Sequence, residues 1–343
     1  MTARTPNPAT GLFDDTFGVG TFSRDGKPVP ALVRADGQSI DLSDKFYDTH
    51  QIFDDWDRNF DALVDLAATG RADFEFAKAE PLKPLAHPNL LCAGSNYKQH
   101  VAEMLTKNKF NQHNRKPGET DEEFYQRNYE AMEERQRTGT PFLWTGLHSS
   151  LVGANHELVL PVLGDEPDWE MELGCVIGGT ARHATVEEAE ELIAGYVAVN
   201  DIGTVDIFRR TDIHFQFDWI SKHQPTFKIA GPFVVPRQMY DVESARITLS
   251  VNDKVMQDWP CNDMIFSLPQ MVSYLSERIN LTPGDMILSG SPPGNGKHHG
   301  QFLKDGDTVV GAVTGLGKQT NICRQEPTPD RPLAFGLWPE PKE

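Results

Sequence analysis

In DWEMELG, residues 168–174, Glu170 and Glu172 stand two apart, so on a strand both carboxylates leave the same face. The apolar run ELGCVIGG carries this strand into the core, where neighbouring like charges are unfavourable unless a cation neutralises them. A third acid, Asp201, closes the apolar run YVAVNDIG, where a strand opens into a loop. Three carboxylates with no His or Cys beside them suit a hard cation with oxygen ligands, Mg²⁺ or Mn²⁺ rather than zinc or iron, and leave positions for water and substrate. The plainer alternative for Glu170 and Glu172 alone is a solvated pair on an edge strand.

A second constellation lies in NYKQHVAEM, residues 96–104. His100 and Glu103 are three apart, so on a helical turn the carboxylate can orient and charge the imidazole, the usual way to make a general base that activates water near neutral pH. Isolated pairs of this kind are also common on surfaces. Asn96 and Tyr97, at the head of the segment, are substrate-binding candidates. Lys222 and Gln257 offer donors to a developing oxyanion. In SGSPPGNG, residues 289–296, Gly290 and Ser291 lie in a Gly/Pro-ordered loop whose free amides can meet an oxyanion or carboxylate. It is not a phosphate-binding fingerprint, because the glycine spacing and the trailing Lys-Ser/Thr are absent. His298 and His299 fall in what reads as a solvated loop.

The elements that must position these residues are mostly strands. Residues 17–42 alternate apolar and polar between DGK and ADG turn signals, the pattern of a small β-meander. A helix over Asp55–Ala68 would put Phe60, Leu63, Val64 and Ala67 on one face. A Pro-rich linker, Pro81–Pro88, separates this small N-terminal α+β domain (residues 1–88) from a catalytic domain over 89–325, and residues 326–343 read as a tail. LLCAGSNY, residues 90–97, reads as a buried strand ending in a polar loop. Residues 105–140 are charged, with Thr120 and Glu123 at capping-box spacing and a stripe of Tyr125, Tyr129 and Met132. This segment is either a solvated surface helix, a lid over the site, or a dimer contact. From Leu158 onward short apolar runs dominate, interrupted by helical patterns at Val186–Gly195 and Ile265–Ile279, so the fold class is α+β, predominantly β.

Acidic residues outnumber basic ones 50 to 32, and a formal charge of −18 argues against nucleic acid and anionic membranes as partners. The same field repels an anionic substrate from a distance, so an acid-binding site must be locally positive, for instance through a bound cation. The N-terminal stretch lacks an apolar core, and no segment has the roughly 18 apolar residues a spanning helix needs. A cytoplasmic location is expected. Four scattered cysteines, Cys92, Cys175, Cys261 and Cys323, read as buried reduced thiols.

Taken in order, GSNYKQHVAEM, DWEMELGCVIGG, GYVAVNDIG with Asp206 following, the lysine and GP of SKHQPTFKIAGP, LSVNDKVMQ with DMIF, LTPGDMILSGSP and FLKDGDTVVGAVTGLG resemble the fumarylacetoacetate hydrolase family over about Leu90–Gly317. The resemblance implies a mixed β-sandwich roll of that family's C-terminal-domain type, usually a homodimer. It implies Mg²⁺, Mn²⁺ or Ca²⁺ on Glu170, Glu172 and Asp201, water activation by His100 with Glu103, and the family lysine at Lys222. Family reactions are hydrolytic carbon–carbon cleavage of acylpyruvates and fumarylacetoacetate, oxaloacetate decarboxylation, and isomerisation or hydration of 2-oxo dicarboxylic acids, with roles in aromatic-compound catabolism. The chain departs from the pattern at three places. Val205 stands where Arg is common, Gly146 where Lys is common, and Pro225 where an acid follows the lysine. Two cations are thus missing, and the metal is expected to carry most substrate recognition. The expected activity is metal-dependent carbon–carbon hydrolysis of a small 1,3-dioxo or 2-oxo acid through an enolate that the cation stabilises. The alternatives are an isomerase, hydratase or decarboxylase on the same site, and a non-catalytic metal-binding relative.

Overall fold

The structure, a computed structural model, describes residues 4–107, 109–208, 210, 212 and 218–337. Residue 108 of the charged segment and the last six residues of the tail lie outside the described residues. The N-terminal meander forms as expected: Phe17–Arg24, Lys27–Arg34 and Gln38–Asp41 pair antiparallel, and Phe74–Glu75 and Glu80–Pro81 complete a five-stranded sheet. Helix Trp56–Thr69 covers it, with Leu63 buried and Phe60, Val64 and Ala67 packed beside it.

The larger part is a roll of two mixed sheets. The central eight-stranded sheet runs in the order Phe142–Gly146, Leu90–Gly94, Met286–Leu288, Met171–Ile177, Ile193–Asp201, Lys228–Ala230, Leu151–Gly153, with Val235–Pro236 pairing beside Ile193–Asp201. A five-stranded sheet, Lys254–Pro260, Arg246–Val251, Thr308–Val313, Lys318–Gln325 and Leu158–Leu160, packs against one face of it. Strand alternation decides what each face carries. Met171, Leu173, Cys175 and Ile177 point into the core shared with the five-stranded sheet. Glu172, Gly174 and Val176 point the other way, and so do Val197, Val199, Asp201, Lys228 and Ala230. At one end this second face is sealed by the N-terminal module, since Val176, Ala194 and Met286 share a core with Phe17, Leu32 and Trp56. The other end carries the charged residues. Burial of the apolar strands on both faces, about 25 cal/mol per Å² of apolar area, holds this central sheet in place.

Two element boundaries shift from their sequence-based positions. The helix expected over Val186–Gly195 ends at Glu191, because Ile193–Asp201 is claimed by sheet partners on both sides. The helix expected from Ile265 starts at Leu268, where Ser267 and Gln270 form a reciprocal cap. In the charged segment, Thr120 and Glu123 cap helix Asp121–Thr138. Its buried residues are Phe124 and Asn128, with Tyr125, Tyr129 and Met132 only partly buried beside them. The helix docks on the larger part: Gln136 donates to the Met264 carbonyl, and the Arg135 guanidinium lies 5.4 Å from the centre of the Phe266 ring. All four cysteines are buried free thiols.

A candidate metal centre at the end of the central sheet

Register places the charged residues in one row. The Asp201 amide donates to the Glu170 carbonyl, and Asp201 stands directly opposite Lys228 on the next antiparallel strand. Glu172 follows two residues after Glu170 on the same face. Glu170, Glu172 and Asp201 offer oxygens that all lie within 4.8 Å of one another, and among the described residues they are the one such cluster. Glu172 and Asp201 are 0% exposed, while the Glu170 side chain keeps 22% exposure, so the trio opens at Glu170.

Two lysines hold these acids. Lys222 Nζ lies 2.8 Å from Glu170 Oε2 and donates to the Asp201 carbonyl at 2.9 Å. Lys228 Nζ, fully buried, lies 2.5 Å from Asp201 Oδ1 and donates to the Lys222 carbonyl. The Gly290 amide donates to Glu172 Oε2 at 2.8 Å. Glu172 Oε1 and Asp201 Oδ2 remain buried without a donor, a costly condition for an oxygen aimed into a cluster of its own kind unless a cation sits there. The residues therefore fit a hard divalent cation. Burial and the neighbouring Asp201 and Glu170 charges push Glu172 well above the ordinary carboxylate range. Burial acts on Asp201 in the same sense, but Lys222 and Lys228 together outweigh it and hold Asp201 below its ordinary value. Lys222 is held above its ordinary value because Asp201 and Glu170 outweigh its own burial.

Several sequence-predicted residues sit at this site in jobs the sequence did not specify. Asn96 is buried, and its amide donates to the carbonyls of Phe266 and Ser289 while accepting from the Phe266 amide, so it ties strand Leu90–Gly94 to two loops. Tyr97 is fully buried beside Met264. Gln257 accepts from the Met171 amide and donates to Ser291 Oγ, joining the metal strand to the 289–296 loop. The loop amides were expected to be free; that of Gly290 is instead bound to Glu172.

His100 and Glu103 share helix Lys98–Lys107 but are not joined. Glu103 accepts from Gln99 Nε2 at 2.5 Å and lies 2.9 Å from His298 Nδ1. The imidazole from a distant loop takes the place expected for His100, and His298 is half-buried rather than solvated. His299 Nε2 approaches the Met256 carbonyl at 3.1 Å. Burial, with the charges of His298 and Lys222, drops the His100 pKa to about 4, so its ring is neutral at pH 7.

Lys228 is the site residue sequence reasoning missed. Its one signal was a lysine inside the apolar run TFKIAG, where a strand otherwise buries every residue. It adds a second ammonium group to the cluster, held by Asp201 and the Lys222 carbonyl. At Gly146 the structure has no space for a longer side chain, because a Cβ there would stand 2.9 Å from Leu90 Cβ and 3.1 Å from Cys92 Sγ.

The chain is 39% identical over 183 residues to a 2,4-didehydro-3-deoxy-L-rhamnonate hydrolase of Sphingomonas sp. (strain SKA58), a match covering 52% of this chain and 63% of that protein. It is 33% identical over 181 residues to the human mitochondrial oxaloacetate tautomerase FAHD2B, covering 52% of this chain and 57% of that one. The chain thus spans about three fifths of the length of these relatives. Among solved structures, maleylpyruvate hydrolase from Sphingobium sp. SYK-6 in complex with manganese(II) and pyruvate superposes with a TM-score of 0.68 at 20% identity, covering 90% of this chain and 99% of that one. A probable 2-hydroxyhepta-2,4-diene-1,7-dioate isomerase from Mycobacterium abscessus gives 0.67 at 18% identity, covering 91% and 100%. At such identities the likeness speaks for the fold. Residues 89–323 match the fumarylacetoacetate (FAA) hydrolase C-terminal family, the stretch that holds the whole carboxylate row, and the chain belongs to that family.

Proposed function

We propose that the protein is a divalent-metal-dependent hydrolase that cleaves a carbon–carbon bond in a small 1,3-dioxo or 2-oxo acid of the acylpyruvate type. The observation that carries this reading is the buried trio of Glu170, Glu172 and Asp201, with two oxygens lacking donors and an opening at Glu170. A bound Mg²⁺ or Mn²⁺ supplies Lewis-acid polarisation of the substrate's oxo group. Lys222 sets a fixed positive charge beside the place where negative charge develops on the substrate. His100, neutral and partly buried, offers a ring nitrogen to the water that attacks the distal carbonyl. The carbon–carbon bond then breaks, its electron pair passes onto the oxo-acid fragment, and the proton held by His100 goes to the carbon released. One substrate and one water give two acids. The solved relative holding manganese and pyruvate supports both the cation and a pyruvate-like fragment.

A second reading, isomerase or decarboxylase of a 2-oxo dicarboxylic acid, is favoured by one observation: Glu103 is engaged by Gln99 and His298, so His100 lacks the carboxylate that would strengthen it as a base toward water. A Mn²⁺- or Mg²⁺-supplemented panel of acylpyruvates and 2-oxo acids, read by mass spectrometry, separates the two. Hydrolysis yields two acids, decarboxylation yields CO₂, and isomerisation leaves the mass unchanged. Glu170→Ala is expected to abolish both turnover and the response to Mn²⁺; full turnover in that variant refutes the metal-centred reading.

A further inference from the structure

The segment DWEME does more than present Glu170 and Glu172. Asp168, two residues before Glu170, is buried, and its carboxylate accepts the amides of Gly296 and, at 2.9 Å, Lys297. The adjacent Trp169 donates its indole N–H to the Gly294 carbonyl at 3.0 Å. Gly296 is required there, since a Cβ would stand 2.6 Å from Asp168 Oδ1 and 2.3 Å from the Gln301 carbonyl. Within the turn, the Asn295 side chain accepts from the His298 amide. The 294–299 turn is thereby bolted to the segment that leads into strand Met171–Ile177 and carries two of the three metal-binding acids.

From this fixed turn His298 reaches the helix Lys98–Lys107. Its Nδ1 lies 2.9 Å from Glu103 Oε2, with the two side chains only 28% and 19% exposed. Glu103 also accepts from Gln99, and Gln99 in turn accepts from the Tyr125 hydroxyl on helix Asp121–Thr138. A continuous polar chain thus runs from the metal strand through Asp168, the turn, His298, Glu103 and Gln99 to the charged helix. His100 sits on the same helix, between Gln99 and Glu103, close enough for the His298 charge to act on it. The other groups facing His298 are Lys107 and His299.

We propose that His298 is a positioning residue that clasps the helix Lys98–Lys107, and with it His100, to the metal strand. Its consequence for turnover rests on the function proposed above; the clasp itself does not. The test uses the full chain with His298→Ala and His298→Asn, the latter placing an amide donor where Nδ1 stood. Hydrogen exchange followed by mass spectrometry reads residues 98–107 and 121–138, and Mn²⁺ affinity is measured by titration calorimetry. In His298→Ala, exchange at 98–107 should speed up about tenfold, the loss of one close imidazole–carboxylate contact. His298→Asn should restore most of the protection, and Mn²⁺ affinity should stay within about twofold in both, since no metal-binding acid is touched. Glu103→Ala should reproduce the faster exchange, and the double variant should add little to either single one. Unchanged exchange in His298→Ala, or equal and additive losses in the double variant, overturns the clasp. A collapse of Mn²⁺ affinity overturns it as well, because the turn would then be part of the metal centre. None of these readouts depends on finding the substrate, so failure of the clasp and failure of the proposed reaction are told apart.

Discussion

Replacing Lys228 with methionine keeps most of the length of the side chain, one heavy atom shorter, and removes its charge. Lys228 is 0% exposed, and its Nζ is 2.5 Å from Asp201 Oδ1. The cluster of Glu170, Glu172, Asp201, Lys222 and Lys228 has a formal charge of −1, from three carboxylates and two ammonium groups, and the substitution makes it −2. Asp201 would be left with Lys222 at 3.6 Å. Removing one partner of a buried ion pair costs about 3–5 kcal/mol, because the other charge stays buried. For a chain of 343 residues that corresponds to a metal-free Tm lower by about 4–7 °C. A divalent cation should feel the opposite effect. One more unit of uncompensated negative charge at about 4 Å from a doubly charged ion is worth up to about 8 kcal/mol at an effective dielectric of about 20, twice the value for two unit charges. Part of that is offset by the strained carboxylates, and Mn²⁺ binding is expected to tighten about tenfold, or about 1.4 kcal/mol. Thermal melts in chelator and across a Mn²⁺ titration, with calorimetry for affinity, measure both. A metal-free Tm within about 1 °C of the parent together with unchanged Mn²⁺ affinity would refute the view that Lys228 is the counter-ion that keeps this cluster folded when no cation is bound.

His100 makes a pH prediction. Its folded-state pKa is depressed to about 4, below the ordinary 6.5, so between these values the unfolded chain binds a proton that the folded chain does not. Above about pH 6.5 both states leave the ring neutral and His100 costs nothing; as pH falls toward 4 proton binding favours the unfolded chain and stability drops. In the metal-free protein His100→Asn should flatten the dependence of Tm on pH in that window, and an unchanged slope would assign the slope to other groups. Gly290→Ala tests the loop. Gly290 has φ of +89° and donates to Glu172, and a Cβ there would stand 3.2 Å from Asn96 Cβ. The left-handed conformation costs a residue with a side chain about 1–2 kcal/mol. Relief of that strain should turn the amide away from Glu172 and weaken Mn²⁺ binding, a loss calorimetry would detect.

Much of the site was legible because it is local. Glu170 and Glu172 stand two apart where the chain enters strand Met171–Ile177, Glu170 just before it and Glu172 within it, and the apolar runs around Asp201 already placed it at a strand end. The capping box at Thr120 and the N-terminal meander were readable for the same reason, since each depends on residues close in sequence. Lys228 was not legible as a site residue. The apolar run TFKIAG makes the lysine unusual, but it does not say whether the ammonium ends beside a buried carboxylate or begins an edge strand facing water. The pairing of Glu103 was misread for a related cause. Helical spacing makes His100 a possible partner, but Gln99 lies on the same helix and His298 arrives across 195 positions of sequence.

By itself, then, the sequence determined which residue types are present, which share a face, and how they match the family over residues 89–323. Only the tertiary structure decided how their charges are balanced and which imidazole meets which carboxylate. The register of Asp201 against Lys228 and the folding of the 294–299 turn onto Asp168 are long-range pairings, 27 and 128 positions apart at the contacts that fix them. Their free energy lies in desolvation and cross-strand packing. Those terms exist only once the sheets have formed, so no local pattern of residues records them.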